Sequence, residues 1–471
     1  MNNKVIKLYV FSLLLALASA CSVSKDIKMP EPELPQTFRN ATVSDSASIG
    51  GISWRSFFRD QLLQQLIDSA LSRNYDMQIA LKNLEQSGIL LRQSKWNNIP
   101  QIGLNLAAST TNPSNNSLNG LTLGQFLGRD HLEDYSANLS LSWEADIWGK
   151  IRNTNRTALA SYLQSQEARK TLQTGLITTI SKAYFGLLML DAQLNVARKN
   201  LNLNDNTLQI VKLQYDAGQV SLLGVQQASG QREVAAGLVP QLEQDIVIRE
   251  NALRILAGQL PERINRKSLL GDISFPDILS TGIPSEMLSR RPDVKSRALD
   301  LSIANARVGI TKTQMYPALR ITASGGVNSL MAANWFNIPG SLFAIAGAGI
   351  LQPVLEHKEL NAQYKLSMIE REKTVLLFRQ TVLKAVGEVS DALANIEKLR
   401  AREIIALNRI KTLQGAIMNA NELFKSGMAT YLEVITAQSN ALVSELDLAA
   451  IKRSELDAIS ELYRSLGGGV F

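Results

Sequence analysis

The chain is written twice, and this duplication constrains its fold more than any other feature. Leu71-Ser72-Arg73-Asn74-Tyr75-Asp76 returns as Leu288-Ser289-Arg290-Arg291-Pro292-Asp293, an offset of 217 that also carries Leu84 onto Leu301 and Pro100 onto Pro317. A second match has an offset of 209: Tyr215-Asp216-Ala217-Gly218-Gln219-Val220-Ser221-Leu222-Leu223 with Phe424-Lys425-Ser426-Gly427-Met428-Ala429-Thr430-Tyr431-Leu432. Two matches in the same order exclude coincidence. They predict two structural repeats, 60–258 and 285–471, joined by a connector at 259–284.

Each repeat holds one region of period two. Tyr135, Ala137, Leu139, Leu141, Trp143 and Ala145 alternate with Ser136, Asn138, Ser140, Ser142, Glu144 and Asp146, as in a strand with one apolar and one polar face. Ile102, Leu104, Leu106 and Ala108 alternate in the same way, which predicts a hairpin over about 101–146. Leu319, Ile321 and Ala323 open a second hairpin over about 318–352, whose last strand, 341–351, is less clear. Four such strands match the signature of a transmembrane β-barrel. A soluble sandwich or sheet edge is the alternative, but four strands are too few for a sandwich core. They are also too few to close a spanning barrel alone. Both facts point to an oligomer that shares one barrel.

The segments between the hairpins read as helices. Leu176, Ile180, Ala183, Leu187, Leu190, Leu194, Ala197 and Leu201 keep mostly alternating steps of three and four, a heptad seam broken at Asn204. Residues 150–214 would span roughly 97 Å and 355–423 roughly 103 Å at the α-helical rise. Returning segments give columns of similar length, with Pro240 expected to kink one of them. A compact enzyme has no use for four such columns; a helical tube on a barrel does. The expected class is membrane α+β, with four strands per protomer in a shared barrel that continues into a long periplasmic helical barrel.

Compartment is read from the first residues. Lys4 and Lys7 precede an apolar run, Leu8 to Leu17, and the small residues Ala18-Ser19-Ala20 lead to Cys21, the only cysteine. The apolar stretch is short of the ~20 residues needed to span a bilayer, so 1–20 reads as a signal peptide. The pattern resembles a bacterial lipoprotein signal, which implies an acylated Cys21, with Ser22 favouring the outer membrane. Residues 21–59, rich in Pro and Ser, are then an extended, lipid-anchored linker. Loss of Lys4 and Lys7 lowers the net charge from +7 to +5, too little on 51.7 kDa to argue for nucleic acid.

Several motifs together carry a family resemblance. They are Trp143-Glu144-Ala145-Asp146-Ile147-Trp148-Gly149-Lys150, Arg290-Arg291-Pro292-Asp293, Ala304-Asn305-Ala306 with Gly309, and Leu466-Gly467-Gly468-Gly469. The chain resembles the TolC-like outer-membrane efflux proteins, in the lipoprotein branch that serves RND-type tripartite pumps. Two departures stand out. Leu355-Glu356-His357-Lys358 stands where the family has Phe-Asp-Gly-Gly, and Ala298 replaces a usual acidic residue. The resemblance implies a homotrimer that passes small molecules outward passively, with a periplasmic adaptor (membrane fusion) protein and an inner-membrane RND pump as partners. It makes the two hairpin turns the adaptor-docking tip, with Tyr215, Gly218, Ser221, Leu223, Phe424, Gly427 and Thr430 as its residues. Gly218 and Gly427 suit helix stops, and Ser221 and Thr430 suit caps of the returning helices. It also places a gate at Leu432, Glu433 and Thr436, although Glu433 equally suits a first-turn acid at a helix N-terminus.

Enzyme chemistry finds no support. Ser22-Val23-Ser24-Lys25 fits a Ser-x-x-Lys pattern but sits in the linker, and Glu144 with Asp146 suits a lumen face or a strand-to-helix cap. His357 lacks further ligands at metal spacing, so no catalytic residue, metal or cofactor is expected. Two other readings share parts of the pattern: a type I secretion duct, and a periplasmic coiled-coil scaffold lipoprotein without a channel.

Overall fold

The computed structural model describes residues 23–39, 48–123, 125, 128–275 and 280–470. Helices α1 (Trp54–Phe57), α2 (Gln61–Arg73) and α3 (Tyr75–Trp96) lead into strand β1 (Gln101–Thr111). A short helix α4 (Leu118–Thr122) precedes β2 (Leu132–Glu144), and α5 (Lys150–Asp216) turns back as α6 (Leu222–Leu256). The second repeat follows with α7 (Pro284–Arg290), α8 (Pro292–Thr313), β3 (Ala318–Ser329), β4 (Leu342–Leu351), α9 (Glu359–Lys425) and α10 (Tyr431–Ser465). The matching long helices α5 and α9 are both 67 residues, and α6 and α10 are both 35. Helix α6 runs through Pro240 without interruption.

The chain divides into two units. Among the described residues, one comprises those up to Pro30, with Gln86–Leu163 and Leu299–Leu376, and contains the strands. They form a single antiparallel sheet in the order β1-β2-β3-β4, with β1 and β4 at its edges. The register aligns Ile102, Leu141, Ala323 and Ala346 across the sheet, and Gly103, Ser140, Ser324 and Ile345 in the next row. The apolar faces of both hairpins therefore coincide. Phe343 and Ile345 fall among the polar rows, so β4 is apolar on both faces. After β4, His357 and Lys358 adopt φ of 49° and 63°. The left-handed turn is kept without the usual glycines, at a cost of about 1–2 kcal/mol per residue.

The other unit comprises Glu31–Glu85, Gln164–Ala298 and Leu377–Phe471. Its core gathers Phe57, Phe58, Phe185 and Tyr463, with Phe57 stacked on Tyr463 at 4.1 Å. The Tyr463 hydroxyl donates to the Ile52 carbonyl at 2.7 Å and accepts from the Gly469 N–H at 2.9 Å. Gly467 and Gly469 both take φ of 85°, and a Cβ on Gly468 would stand 2.4 Å from the Tyr463 ring, which explains the glycine-rich ending. Part of the segment expected as an extended linker is thus folded: Phe38, Trp54, Phe57 and Phe58 are buried in this core. Their aromatic area outweighs the extended preference of the prolines upstream.

The duplication extends to single hydrogen bonds. Asn74 donates to the Leu256 carbonyl at 3.0 Å, closing the end of α6. Arg291, its counterpart, donates to the Ser465 carbonyl at 3.1 Å, closing the end of α10. Arg291 also holds Asp293 through two bonds of 3.0 and 2.7 Å and pairs with Glu388 at 2.9 Å. Burial opposes ionisation of Asp293, but the Arg291 guanidinium keeps its carboxyl below the usual range. The Arg-Arg-Pro-Asp motif is therefore a buried clamp between helices. Ala298, the second departure, packs against the core.

Candidate functional site

Two regions carry the expected functions: the sheet and the helical tip. The apolar rows of the sheet lie open to the surroundings, with Ile102, Leu104, Leu106, Leu139, Leu342 and Ile350 all exposed. Aromatic side chains bracket them. At one end Tyr135 meets Trp335 at 5.6 Å, and Trp335 meets Phe336 at 5.0 Å. At the other end Trp143 donates to the Asn98 carbonyl at 3.0 Å, while Trp148 packs on Tyr316 at 5.0 Å and donates to the Pro317 carbonyl. Eight residues separate Tyr135 from Trp143, about 26 Å of strand and roughly 20 Å of height at the usual barrel tilt. Trp148 and Trp335 lie beyond the strand ends, which extends the band toward the ~25 Å of known barrels.

Glu144 and Asp146 serve structure. Lys150 pairs with Glu144 at 2.9 Å, and Asp146 accepts from the N–H groups of Ile151 and Arg152 at 2.8 and 2.9 Å, capping α5. In the same unit the N-terminal segment is held down. The Ile27 N–H donates to Asn305 at 3.1 Å, the Asn305 amide returns a bond to the Ile27 carbonyl at 2.9 Å, and Arg156 pairs with Asp26 at 2.7 Å. This gives the Ala-Asn-Ala motif its reason. The signal peptide 1–20 and Cys21 lie outside the described residues.

The two tip turns share one backbone pattern. The Gly218 N–H donates to Tyr215 and that of Gln219 to Gln214; the Gly427 N–H donates to Phe424 and that of Met428 to Leu423. These are Schellman stops, and the left-handed φ of 71° at Gly218 and 75° at Gly427 requires glycine. The side chains then diverge. Tyr215 is 42% exposed, whereas its counterpart Phe424 is 3% exposed and packs with Val211, Ala228 and Val434. Phe424 is therefore a tip core residue, contrary to its expected place on the docking surface. Ser221 has the extended backbone of an N-cap but makes no side-chain cap bond, contrary to expectation; Thr430 does cap α10. Leu223 is exposed.

Glu433 completes a capping box. The Thr430 N–H donates to its carboxylate at 3.0 Å and the Thr430 hydroxyl donates to the same oxygen. The Thr430 hydroxyl bond holds the Glu433 carboxyl below its ordinary range, so it is ionised at neutral pH. Leu432 and Thr436 flank it, both exposed. Sequence reasoning missed Tyr431. Its hydroxyl donates to Gln227, and its ring lies where a Cβ on Gly224 would stand 2.9 Å away, joining α10 to α6. The offset of 209 sets Gly224 against Glu433 and Gln227 against Thr436, and that mismatch between repeats was the available signal.

No group of residues suited to a metal ion occurs among the described residues, and no described helix is long and apolar enough to cross a membrane.

The outer membrane efflux protein family model matches residues 66–259 and 283–468, one stretch in each repeat. The probable outer membrane lipoprotein SilC of Salmonella typhimurium is 26% identical, covering 98% of this chain and 99% of its own. The cation efflux system protein CusC of Escherichia coli is also 26% identical over 98% of this chain and 99% of its own. So is the toluene efflux pump outer membrane protein TtgF of Pseudomonas putida, over 98% and 97%. Among solved structures, the Campylobacter jejuni CmeC outer membrane channel superposes with a TM-score of 0.84 at 22% identity, covering 95% of each chain.

Proposed function

Because the chain belongs to the outer membrane efflux protein family, we propose that it is the outer-membrane exit duct of a tripartite efflux pump, conducting small molecules passively from an inner-membrane RND pump and its adaptor to the outside. The observation that carries this reading is the sheet, whose exposed apolar rows are bracketed by aromatics at membrane spacing and whose edges β1 and β4 remain open. Closing those edges takes further copies. Unpartnered stripes at steps of seven on α9 (Ile369, Leu376, Leu383) and on α6 (Ile248, Ile255) supply apolar contact between them. The resemblance to the family sets the number of copies at three, a homotrimer of twelve strands, anchored in addition by an acylated Cys21. The tip meets the adaptor through Tyr215, Ser221 and Leu223, and Leu432 with Glu433 narrows the passage. Relatives named for cations and for toluene match this chain equally well, which supports a duct that leaves selection to the pump.

Deletion of the gene followed by profiling with dyes, detergents, antibiotics and metal ions tests the reading. A deletion strain sensitised to at least one class, and restored by the wild-type gene, is expected. Unchanged sensitivity to all of them, in a strain whose pump and adaptor are expressed, contradicts it.

A further inference from the structure

The seam between α5 and its neighbours changes character toward the tip. On the body side Leu190, Leu194, Ala197 and Leu242 are buried together; on the tip side Val211, Ala228, Phe424 and Val434 are. From Ala197 to Val211 the core positions run at steps of three and four through Asn200, Asn204 and Thr207, and all three polar side chains are buried. Helix α10 adds Gln438, one turn past Val434 and 2% exposed. The Gln438 amide donates to the Thr207 hydroxyl at 3.0 Å, while Asn204 donates within its own helix to Asn200 at 2.9 and 3.0 Å. The Gln438 side-chain carbonyl is buried without a hydrogen-bond partner. Hairpin architecture does not demand polarity at two of these places: the offset of 209 sets Leu413 and Ala416 against Asn204 and Thr207, while Arg409 and Ser229 answer Asn200 and Gln438.

We infer that Asn200, Asn204, Thr207 and Gln438 form a wetting seam, a layer at which α10 parts from α5 and admits water while the apolar clusters on either side stay packed. An apolar layer of the same shape resists parting because its surface returns to water unfavourably. A polar layer recovers hydrogen bonds from water when it opens. The Gln438 carbonyl, which no protein group bonds in the packed layer, gains a partner from water when the layer opens. Buried polar layers of this kind fix register at a cost in stability, and a switch is their best-attested use. The seam itself is a property of the folded chain; only its consequence, that Leu432 and Glu433 separate as the tip swings, rests on the duct reading.

Hydrogen exchange read by mass spectrometry on the full-length protein in detergent tests it, comparing wild type with the Thr207→Val/Gln438→Leu double variant. Amides of 198–211 and 434–441 should exchange ~10-fold more slowly in the variant, because local opening sets their rate. Equal or faster exchange overturns the inference. Asn204→Leu, which installs the second repeat's residue, gives the same reading if the double variant does not fold. In planar bilayers the open fraction of the variant should fall by a similar factor, and a variant that conducts like wild type overturns the seam's role in opening. A wild type that does not conduct contradicts the duct reading instead, and exchange still decides the seam.

Discussion

The Glu433 carboxylate is bound at the start of α10 by Thr430, yet it remains exposed and charged. One side chain thereby serves both a helix end and, in the proposed trimer, a ring of three charges. Glu433→Gln should weaken divalent-cation block of single-channel current, and unchanged block would leave Glu433 with its capping role alone. Thr430→Ala should cost about 1 kcal/mol through loss of the cap, read as a lower Tm. A second titrating residue lies in the helical unit. Burial pushes the Asp457 carboxyl up to about 6, against the opposing pull of Arg453, Lys182 and Arg249. A folded pKa above the usual 3.8 means that Asp457 contributes most stability below about pH 4 and loses it as pH rises through about 6. The span corresponds to ~3 kcal/mol. Wild type should therefore lose Tm between pH 4.5 and 7.5 relative to Asp457→Asn, and parallel profiles of the two proteins would contradict this. At this scale the sequence was legible where local chemistry decides, as in the Thr430 cap. It was not legible where a distant partner decides: the repeat makes Tyr215 and Phe424 equivalent, and only Val211, Ala228 and Val434 distinguish them.

Among elements, the strands and long helices were legible because periods of two and 3.5 survive in any window of the chain. β4 was faint because Phe343 and Ile345 interrupt its alternation. The segment over 48–59 carries no period at all, so its burial through Trp54, Phe57 and Phe58 had no sequence signal beyond three aromatics. The tip turns offer a clean separation of docking from folding. Ser221 is exposed and makes no cap bond, so Ser221→Arg should leave assembly and Tm unchanged while abolishing export in cells. Full export by that variant would remove Ser221 from the docking surface. Phe424→Ala should instead lower stability by about 3–5 kcal/mol, because it empties the tip cluster. That loss would register as earlier unfolding of the tip in hydrogen exchange.

For the whole molecule, the duplication explains why two hairpins of strands and two of helices occur in one chain, down to the matched bonds of Asn74 and Arg291. The sheet's open edges and exposed apolar rows are features that an isolated protomer in water does not tolerate. The proposed anchor at Cys21 is a separate matter, and Cys21→Ser should leave the protein dependent on detergent for extraction, whereas a scaffold without a barrel would become soluble. The central claim is that copies of this chain close one barrel and conduct. Purified full-length protein added to planar bilayers, with its mass checked by native mass spectrometry, tests it most directly. The account predicts a trimeric mass and discrete current steps; a monomeric protein that leaves the bilayer silent would contradict it.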